Sequence, residues 1–239
     1  MSSPPSPPPV RQRRATRATR ARILDAALRE LGRNPDSSLG DIAEVAGVAR
    51  RTVYTHFAGR AALVAGLAED AAEAIRLAVA VASTPGDGPT AALARFVLTL
   101  WPVGDSYRTL IGLARQDLGP ERVSELLSPA RETVAGVLAE GQRRGVFHTA
   151  VPPGPLSIAI EAHLLALLGT VHSGIWTDDG TAAATAALIA AGADDSTAAA
   201  TVRRLHGTRQ LRPPHRTHSP HWAHRAEATA TQGDGVRSE

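Results

Sequence analysis

The stretch from Ser38 to Arg60, SLGDIAEVAGVARRTVYTHFAGR, has the pattern of two short helices joined by a tight turn and followed by the start of a third helix. Ser38 and Asp41 stand three residues apart, as in a capping box, so we expect the first helix to start near Leu39. Gly47 supplies the backbone freedom that a helix C-terminus needs, which places the turn at this point.

The second predicted helix runs from Arg50 to Phe57 and has a polar face without an acidic residue. Val53 and Phe57 are four residues apart, so both point inward. The remaining side chains offer cations, hydroxyls and an imidazole, and they belong to Arg50, Arg51, Thr52, Tyr54, Thr55 and His56. Such a surface suits a helix that enters a DNA major groove, where it meets phosphates and base edges.

This stretch resembles the DNA-binding segment of the TetR family of transcriptional regulators. The residues that carry the resemblance are Asp41-Ile42-Ala43, Ala46-Gly47-Val48, Thr52-Val53-Tyr54, His56-Phe57 and Arg60-Ala61-Ala62-Leu63. The similarity extends over Thr19 to Leu67, and beyond it only the general all-helical layout is similar. The resemblance implies an all-α regulator with an N-terminal helix-turn-helix domain and a C-terminal helical domain for ligand binding and dimerisation.

The resemblance also assigns roles to single residues of the predicted DNA-binding set. It implies that Tyr54, His56 and Arg60 bind phosphates, and Ser38 is included in the set. The expected base readers are Arg50, Arg51 and Thr55, and Thr52 can belong to either group.

Three positions depart from the family pattern. Ala49 replaces the Ser or Thr that usually caps the recognition helix, which should cost about 1 kcal/mol of helix stability. Thr55 replaces a larger side chain, so the base preference cannot be transferred from the family. Arg60 replaces the usual lysine and keeps its charge.

Charge is distributed unevenly along the 239 residues. Residues 1–60 hold 11 Arg against 5 acidic residues, whereas residues 61–200 hold 8 Arg against 15 acidic residues. A basic head on an acidic body predicts that only the head meets a polyanion, which would be double-stranded DNA. The chain contains no cysteine, so disulfides and thiolate metal sites are excluded.

We expect a cytoplasmic protein without a membrane partner. The N-terminus is rich in Pro and Ser and then basic, so it does not have the apolar run of a signal peptide. The most apolar segment, Leu156 to Val171, is too short to span a bilayer and contains Glu161 and His163.

The predicted organisation has four parts. Residues 1–15 form a disordered Pro/Arg-rich arm, which either adds phosphate contacts or is only a solvated charge run. Residues 16–60 form the DNA-binding domain, and residues 61–206 form the effector-binding and dimerisation domain. Residues 207–239 form a disordered tail, whose histidines at every third position from His215 suggest either a metal tract or, as we prefer, a solvated segment.

Apolar periodicity and breaker residues predict about nine helices. The first runs from Thr16 to Leu31, and a long fourth helix runs from Arg60 to Val81 and connects the head to the body. Residues 83–89 form a hinge-like break, so a ligand must act on the head by packing against the fourth helix. The five expected body helices are 90–100, 105–115, 121–144, 155–173 and 181–192.

The last two of these helices are apolar around most of their circumference. The resemblance implies that they form a four-helix homodimer interface with a partner, and the alternative is that both are buried helices of a monomer. Ala187 lies in a run of small residues where two backbones could approach closely, so we expect it in that interface.

The few polar or aromatic residues of the apolar body are candidates for an effector pocket. We predict Trp101, Tyr107, Gln116 and His163 as pocket residues for a small, largely apolar effector, against the alternative that each is an ordinary core or interface residue. No catalytic motif, cofactor motif or metal-ligand spacing stands out, so neither an enzyme nor a cofactor is predicted. Two alternatives to an effector-responsive regulator remain. One is a DNA-binding regulator without an effector, and the other is a helical binding or catalytic protein with a vestigial DNA-binding head.

Overall fold

The computed structural model describes residues 10–82 and 88–211, and within these ranges the chain forms nine α-helices and no strand. The all-α class predicted from the sequence is therefore confirmed. The helices are α1 (Val10–Arg33), α2 (Leu39–Val45), α3 (Arg50–His56), α4 (Arg60–Ala82), α5 (Pro89–Asp117), α6 (Pro120–Arg143), α7 (Pro153–His172), α8 (Thr181–Ala191) and α9 (Asp195–Leu211).

The helices form two compact units whose boundary falls inside α4. The first unit ends at Leu67 and the second begins at Ala68, whereas the sequence predicted the boundary after residue 60. The difference arises because Leu63, Val64 and Leu67 of α4 are all buried, so the first turns of this helix belong to the core of the first unit.

The first unit is held together by an apolar core between α1, α2, α3 and the start of α4. Its fully buried side chains include Ile23, Leu31, Ile42 and Val53. Arg20, which follows the basic arm in the sequence, places its guanidinium carbon 5.0 Å from the centroid of the Phe57 ring. A cation over an aromatic face is attracted by the ring quadrupole, so Arg20 contributes to the packing of this unit.

The predicted disordered arm of residues 1–15 is wrong for its last part, because α1 begins at Val10 and not at Thr16. Arginine is a good helix former, so the basic run is compatible with an earlier start of the helix. Residues 1–9 lie outside the described residues.

Helix α5 corrects the prediction of two separate helices at 90–100 and 105–115. It runs without interruption from Pro89 to Asp117 and contains Pro102 in its interior. A proline inside a helix loses one backbone hydrogen bond and crowds the preceding turn. Here Trp101 and Val103 on either side of it are buried at 5% and 2% exposure, so packing against the neighbouring helices overrides the local preference.

Helix α9 was not predicted from the sequence, which gave no helix after residue 192. It begins at Asp195, and the preceding Asp194 accepts a hydrogen bond from the Thr197 amide at 2.9 Å. Ala198 and Val202 are buried and lie four residues apart, so α9 has the apolar side that packs on α5 and α8. Residues 207–211 belong to α9 and are helical. Residues 212–239, which include the histidine tract, lie outside the described residues.

Helices α7 and α8 differ in burial, although the sequence makes both look apolar throughout. In α8, Ala183, Ala184, Ala187 and Leu188 are completely buried within their own chain. The expectation that Ala187 faces a partner subunit is therefore wrong, because α5, α7 and α9 already cover this side of α8.

Helix α7 leaves much of its apolar surface uncovered by its own chain. Only 22% of its most apolar window is buried, and Ile158 is 53% exposed. The helix starts at Pro153, where a proline in the first turn is tolerated, so it begins earlier than the sequence predicted. Within the described residues α7 is the helix that is long and apolar enough to cross a membrane. Core helices of soluble proteins pass the same test, so length and composition alone are weak evidence for a membrane span.

A pair of glycines in α6 provides a test of the packing in the second unit. A Cβ added to Gly141 would overlap the ring of the buried Phe147, whereas one added to Gly136 would meet nothing within 4 Å. We expect Gly141→Ala to lower the free energy of unfolding by about 1–3 kcal/mol because the ring must move. Gly136→Ala should raise it by about 0.5–1 kcal/mol because the unfolded chain loses entropy.

Urea denaturation followed by circular dichroism measures both variants under the same conditions. Equal effects of the two substitutions would contradict the packing of Phe147 against α6.

Candidate nucleic-acid interface and internal cavity

The start of α2 carries the predicted capping box. The Ser38 hydroxyl accepts the Asp41 amide at 3.3 Å, and the Asp41 carboxylate accepts the Ser38 amide at 2.8 Å. The Ser38 amide, then the Ser38 hydroxyl and the nearby charge of Arg50 hold the pKa of Asp41 below its usual value. The cap fixes the point at which α2 begins, and the hydroxyl of Ser38 is engaged in the cap.

The turn between α2 and α3 has the backbone geometry that the sequence predicts. Gly47 adopts φ of +62°, which residues with a side chain rarely adopt. The Val48 amide then donates to the Ala43 carbonyl at 3.0 Å and closes the turn. Ala49 precedes α3 with an extended backbone and makes no side-chain cap, as expected from the missing hydroxyl.

Helix α3 separates an inward side from an outward side. Val53 is completely buried, and Phe57 directly after the helix is 2% exposed. On the other side Arg51 and Thr55 are exposed and Tyr54 is 56% exposed, while Thr52, His56 and Arg60 are partly buried. The outward side is therefore a polar surface fixed to a rigid core.

Two side chains of this helix are engaged within the unit. The guanidinium of Arg50 lies against Gly40 of α2, where an added Cβ would be 2.6 Å from its terminal nitrogen. Arg50 is exposed, and its guanidinium lies over the start of α2. The Thr55 hydroxyl donates to the Arg51 carbonyl at 2.8 Å, so its proton is not available to a base.

The second unit contains a cavity of about 140 Å³. Its lining comes from α4, α5, α6 and α7 and is mostly aliphatic, and it includes small residues such as Ala71, Ala114 and Ala130. Ala71 and Ile75 of α4 are among the lining residues, so the helix that begins in the first unit also lines this cavity.

The structure brings two of the four predicted pocket residues to the cavity. Trp101 and Tyr107 line it and are 5% and 4% exposed. Gln116 and His163 do not line it; both are exposed on the surface of α5 and α7, because the helical rotation at these positions turns them away from the core. The prediction is wrong for these two residues.

The polar lining residues that sequence reasoning missed are Arg131, Ser157 and Glu161. Arg131 Nε donates to a Glu161 carboxylate oxygen at 3.0 Å, and the two side chains are 23% and 24% exposed. A charge inside an otherwise apolar helical stretch is a usable signal for such residues, and Glu161 stands in that context in α7. Its partner lies 30 residues away on α6, and this pairing required the tertiary structure.

No group of three or more His, Asp or Glu that could hold a metal ion occurs in the part of the chain that the structure describes.

The first unit is a helix-turn-helix domain, and the second is a helical domain with an internal cavity. Residues 23–67 match the family model described as "Bacterial regulatory proteins, tetR family". Over these residues the first unit is similar to the tetR family of bacterial regulatory proteins.

A curated relative is similar to part of the chain. The chain is 41% identical over 93 residues to the HTH-type transcriptional repressor LfrR of Mycolicibacterium smegmatis. The match covers 37% of this chain and spans about half, 49%, of the relative.

Solved structures resemble the chain over a larger share of its length. The TetR-family regulator PfmR from Thermus thermophilus has a TM-score of 0.62 at 19% identity, with 72% of this chain and 98% of that chain covered. At this identity the likeness shows the fold alone. LfrR from Mycobacterium smegmatis in complex with proflavine has a TM-score of 0.59 at 25% identity, with 73% of this chain and 94% of that chain covered.

Proposed function

We propose that this chain is a cytoplasmic, homodimeric transcriptional repressor that binds a palindromic DNA operator and is released by a small, largely apolar effector. The observation that carries the proposal is the shared helix α4. Its first turns pack in the helix-turn-helix unit through Leu63 and Val64, and its later turns line the cavity through Ala71 and Ile75. The similarity to LfrR, a repressor solved with proflavine, supports both halves of the proposal.

DNA would be bound by the outward side of α3. Arg51 and Thr55 are the proposed base readers, and Thr55 presents a methyl group and oxygen lone pairs because its proton is engaged. Tyr54, His56 and Arg60 are the proposed phosphate contacts, and Thr52 lies at the border of the two groups. Arg50 is assigned a positioning role between α2 and α3, because its guanidinium lies against Gly40.

Two recognition helices are needed for a palindrome. A dimer places them in successive major grooves, about 34–36 Å apart. An effector in the cavity would contact α4 and favour a second arrangement of the dimer with lower operator affinity, which is a shift between two populations.

Replacing Arg51 by Ala should relax the preference at one base position in each half-site. The guanidinium is exposed in the first turn of α3, and a bidentate contact to guanine contributes about 1–3 kcal/mol of discrimination. Binding-site selection from a random DNA library measures the preference. Tyr54→Phe should instead weaken binding to all sequences similarly, since phosphate contacts do not read sequence.

Arg122→Ala is the matched control, because Arg122 is an exposed arginine of α6 paired with Glu125. If the Arg51 variant selects the same sites as the unsubstituted protein with only lower affinity, Arg51 is a phosphate contact.

Dimerisation should depend on α7, whose apolar side is uncovered. Ile158→Arg would bury an unpaired charge in the interface at a cost of several kcal/mol, so we expect monomers. Val81→Arg is the control, since Val81 is an exposed apolar residue of α4 at 63% exposure. Sedimentation equilibrium distinguishes the two, and a dimeric Ile158 variant at low concentration would remove this part of α7 from the interface.

An effector should release DNA without separating the subunits. The cavity is lined by the inner side of α7, whereas the proposed interface is its outer side, so occupancy of the cavity need not open the dimer. Titration of a releasing compound, with DNA binding and molecular mass followed together, checks this expectation. Release accompanied by monomers would contradict the mechanism, and no release by any apolar compound of a broad library would favour an effector-free regulator.

A further inference from the structure

We propose that the first turns of α1 form a second DNA-contacting element, in which Arg14 and Arg17 bind backbone phosphates beside the groove that α3 enters. The inference rests on the proposed function, because it takes duplex DNA as the partner of the first unit. It adds a contact that does not depend on base sequence and that lies outside α3 and the start of α4.

Most of the arginines of residues 1–60 belong to α1 and not to the recognition helix. Six of these 11 arginines fall between residues 11 and 22, and they are Arg11, Arg13, Arg14, Arg17, Arg20 and Arg22. Helix α3 contains two, Arg50 and Arg51. The attraction of the basic head to a polyanion is therefore concentrated on the first turns of α1.

The charges on these turns are not neutralised within the helix. Residues 14–18 are all exposed, and the first buried side chain of α1 among those described is Ile23. The first acidic residue of α1 is Asp25, so neither Arg14 nor Arg17 has an acidic residue three or four positions away. Arg14 and Arg17 are themselves three residues apart, where like charges on a helix repel each other. A polyanion relieves this repulsion, so the charge pattern favours its binding.

Arg20 fixes this part of α1 beside the end of the recognition helix. Its guanidinium carbon lies 5.0 Å from the centroid of the Phe57 ring, and Phe57 directly follows α3. A Cβ added to Gly66 in the first turns of α4 would lie 3.2 Å from a terminal nitrogen of Arg20. The Phe57 ring is in turn 6.4 Å from the ring of His56, a proposed phosphate contact. The turn that precedes Arg20 therefore starts next to the place where phosphates are expected.

The helical form of these turns sets the spacing of the charges. Arg14, Arg17 and Arg20 follow one another at intervals of three residues, so each is a neighbour of the next on the helix surface. A rise of about 1.5 Å per residue separates Arg14 from Arg17 by about 4.5 Å along the axis. Phosphates follow one another every 3.4 Å or so along each DNA strand, so the two guanidinium groups can meet separate phosphates. Turns that are already helical also lose less conformational entropy on binding than a disordered arm.

The salt dependence of DNA binding by the full-length protein tests the two phosphate contacts. Fluorescence anisotropy of a labelled duplex of random sequence gives the association constant over a series of salt concentrations. The double variant Arg14→Ala with Arg17→Ala should bind more weakly, and the slope of log K against log[salt] should become shallower by about 1.8, or about 0.9 for each lost contact. Alanine is the best helix former, so α1 should be retained, and circular dichroism checks the helix content.

Two further double variants serve as controls for charge. Arg203→Ala with Arg204→Ala removes the same charge from exposed positions of α9 in the second unit, so it should leave the slope unchanged. Arg14→Lys with Arg17→Lys keeps both cations, and it should therefore retain most of the slope, since a lysine also binds phosphate as a point charge. Binding-site selection should return the same sites for all three double variants, because phosphate contacts carry no sequence information.

An unchanged affinity and slope in the alanine variant of α1 would overturn this inference and leave the proposed function intact. A changed base preference in that variant would also contradict it, since the arginines would then read bases. If the variant lost binding to phosphatidylglycerol vesicles but kept its DNA binding, the surface would belong to a membrane contact instead. A protein that binds no duplex at any salt concentration would contradict the proposed function itself, and this inference with it.

Discussion

The burial of α5 is the constraint on which the second unit depends. This helix packs against α6, α7, α8 and α9, and apolar side chains along its whole length are removed from water. Burying one such side chain stabilises the fold by about 1.5–3 kcal/mol. Several of them together outweigh the roughly 3 kcal/mol cost of one interior proline. Pro102 is therefore accommodated, and Trp101 beside it reaches both the cavity and the Asp178 carbonyl.

The cavity follows from how this core is composed. Aromatic residues make up 3% of the sequence, so much of the packing around α5 is done by alanine and leucine. Alanine allows helices to approach closely in α8, where the buried positions are completely covered. Between α4, α5, α6 and α7 a cavity remains, and its lining includes small side chains such as Ala71, Ala114 and Ala130.

The helix-turn-helix unit was predictable in detail because its determinants are local. The capping box at Ser38, the left-handed backbone at Gly47 and the inward pair Val53 and Phe57 involve residues within a few positions of one another. Arg50 is the exception, because its outward place on the helix did not reveal that its guanidinium lies against Gly40 of the preceding helix. A long flexible side chain can reach another helix, and helical spacing alone does not show where its end lies.

In the body, the sequence determined the helical class and several of the breaks, whereas the tertiary structure decided which surfaces are inside. The sequence makes α7 and α8 equally apolar, yet α8 is enclosed by its own chain and α7 is mostly uncovered. Likewise, Gln116 and His163 share the polar character of Trp101 and Tyr107 but lie outside the cavity. The lining instead includes Arg131, which is paired with a glutamate 30 residues away. Burial is a property of how the helices are arranged around α5, and periodicity along one helix identifies an apolar side without identifying what covers it.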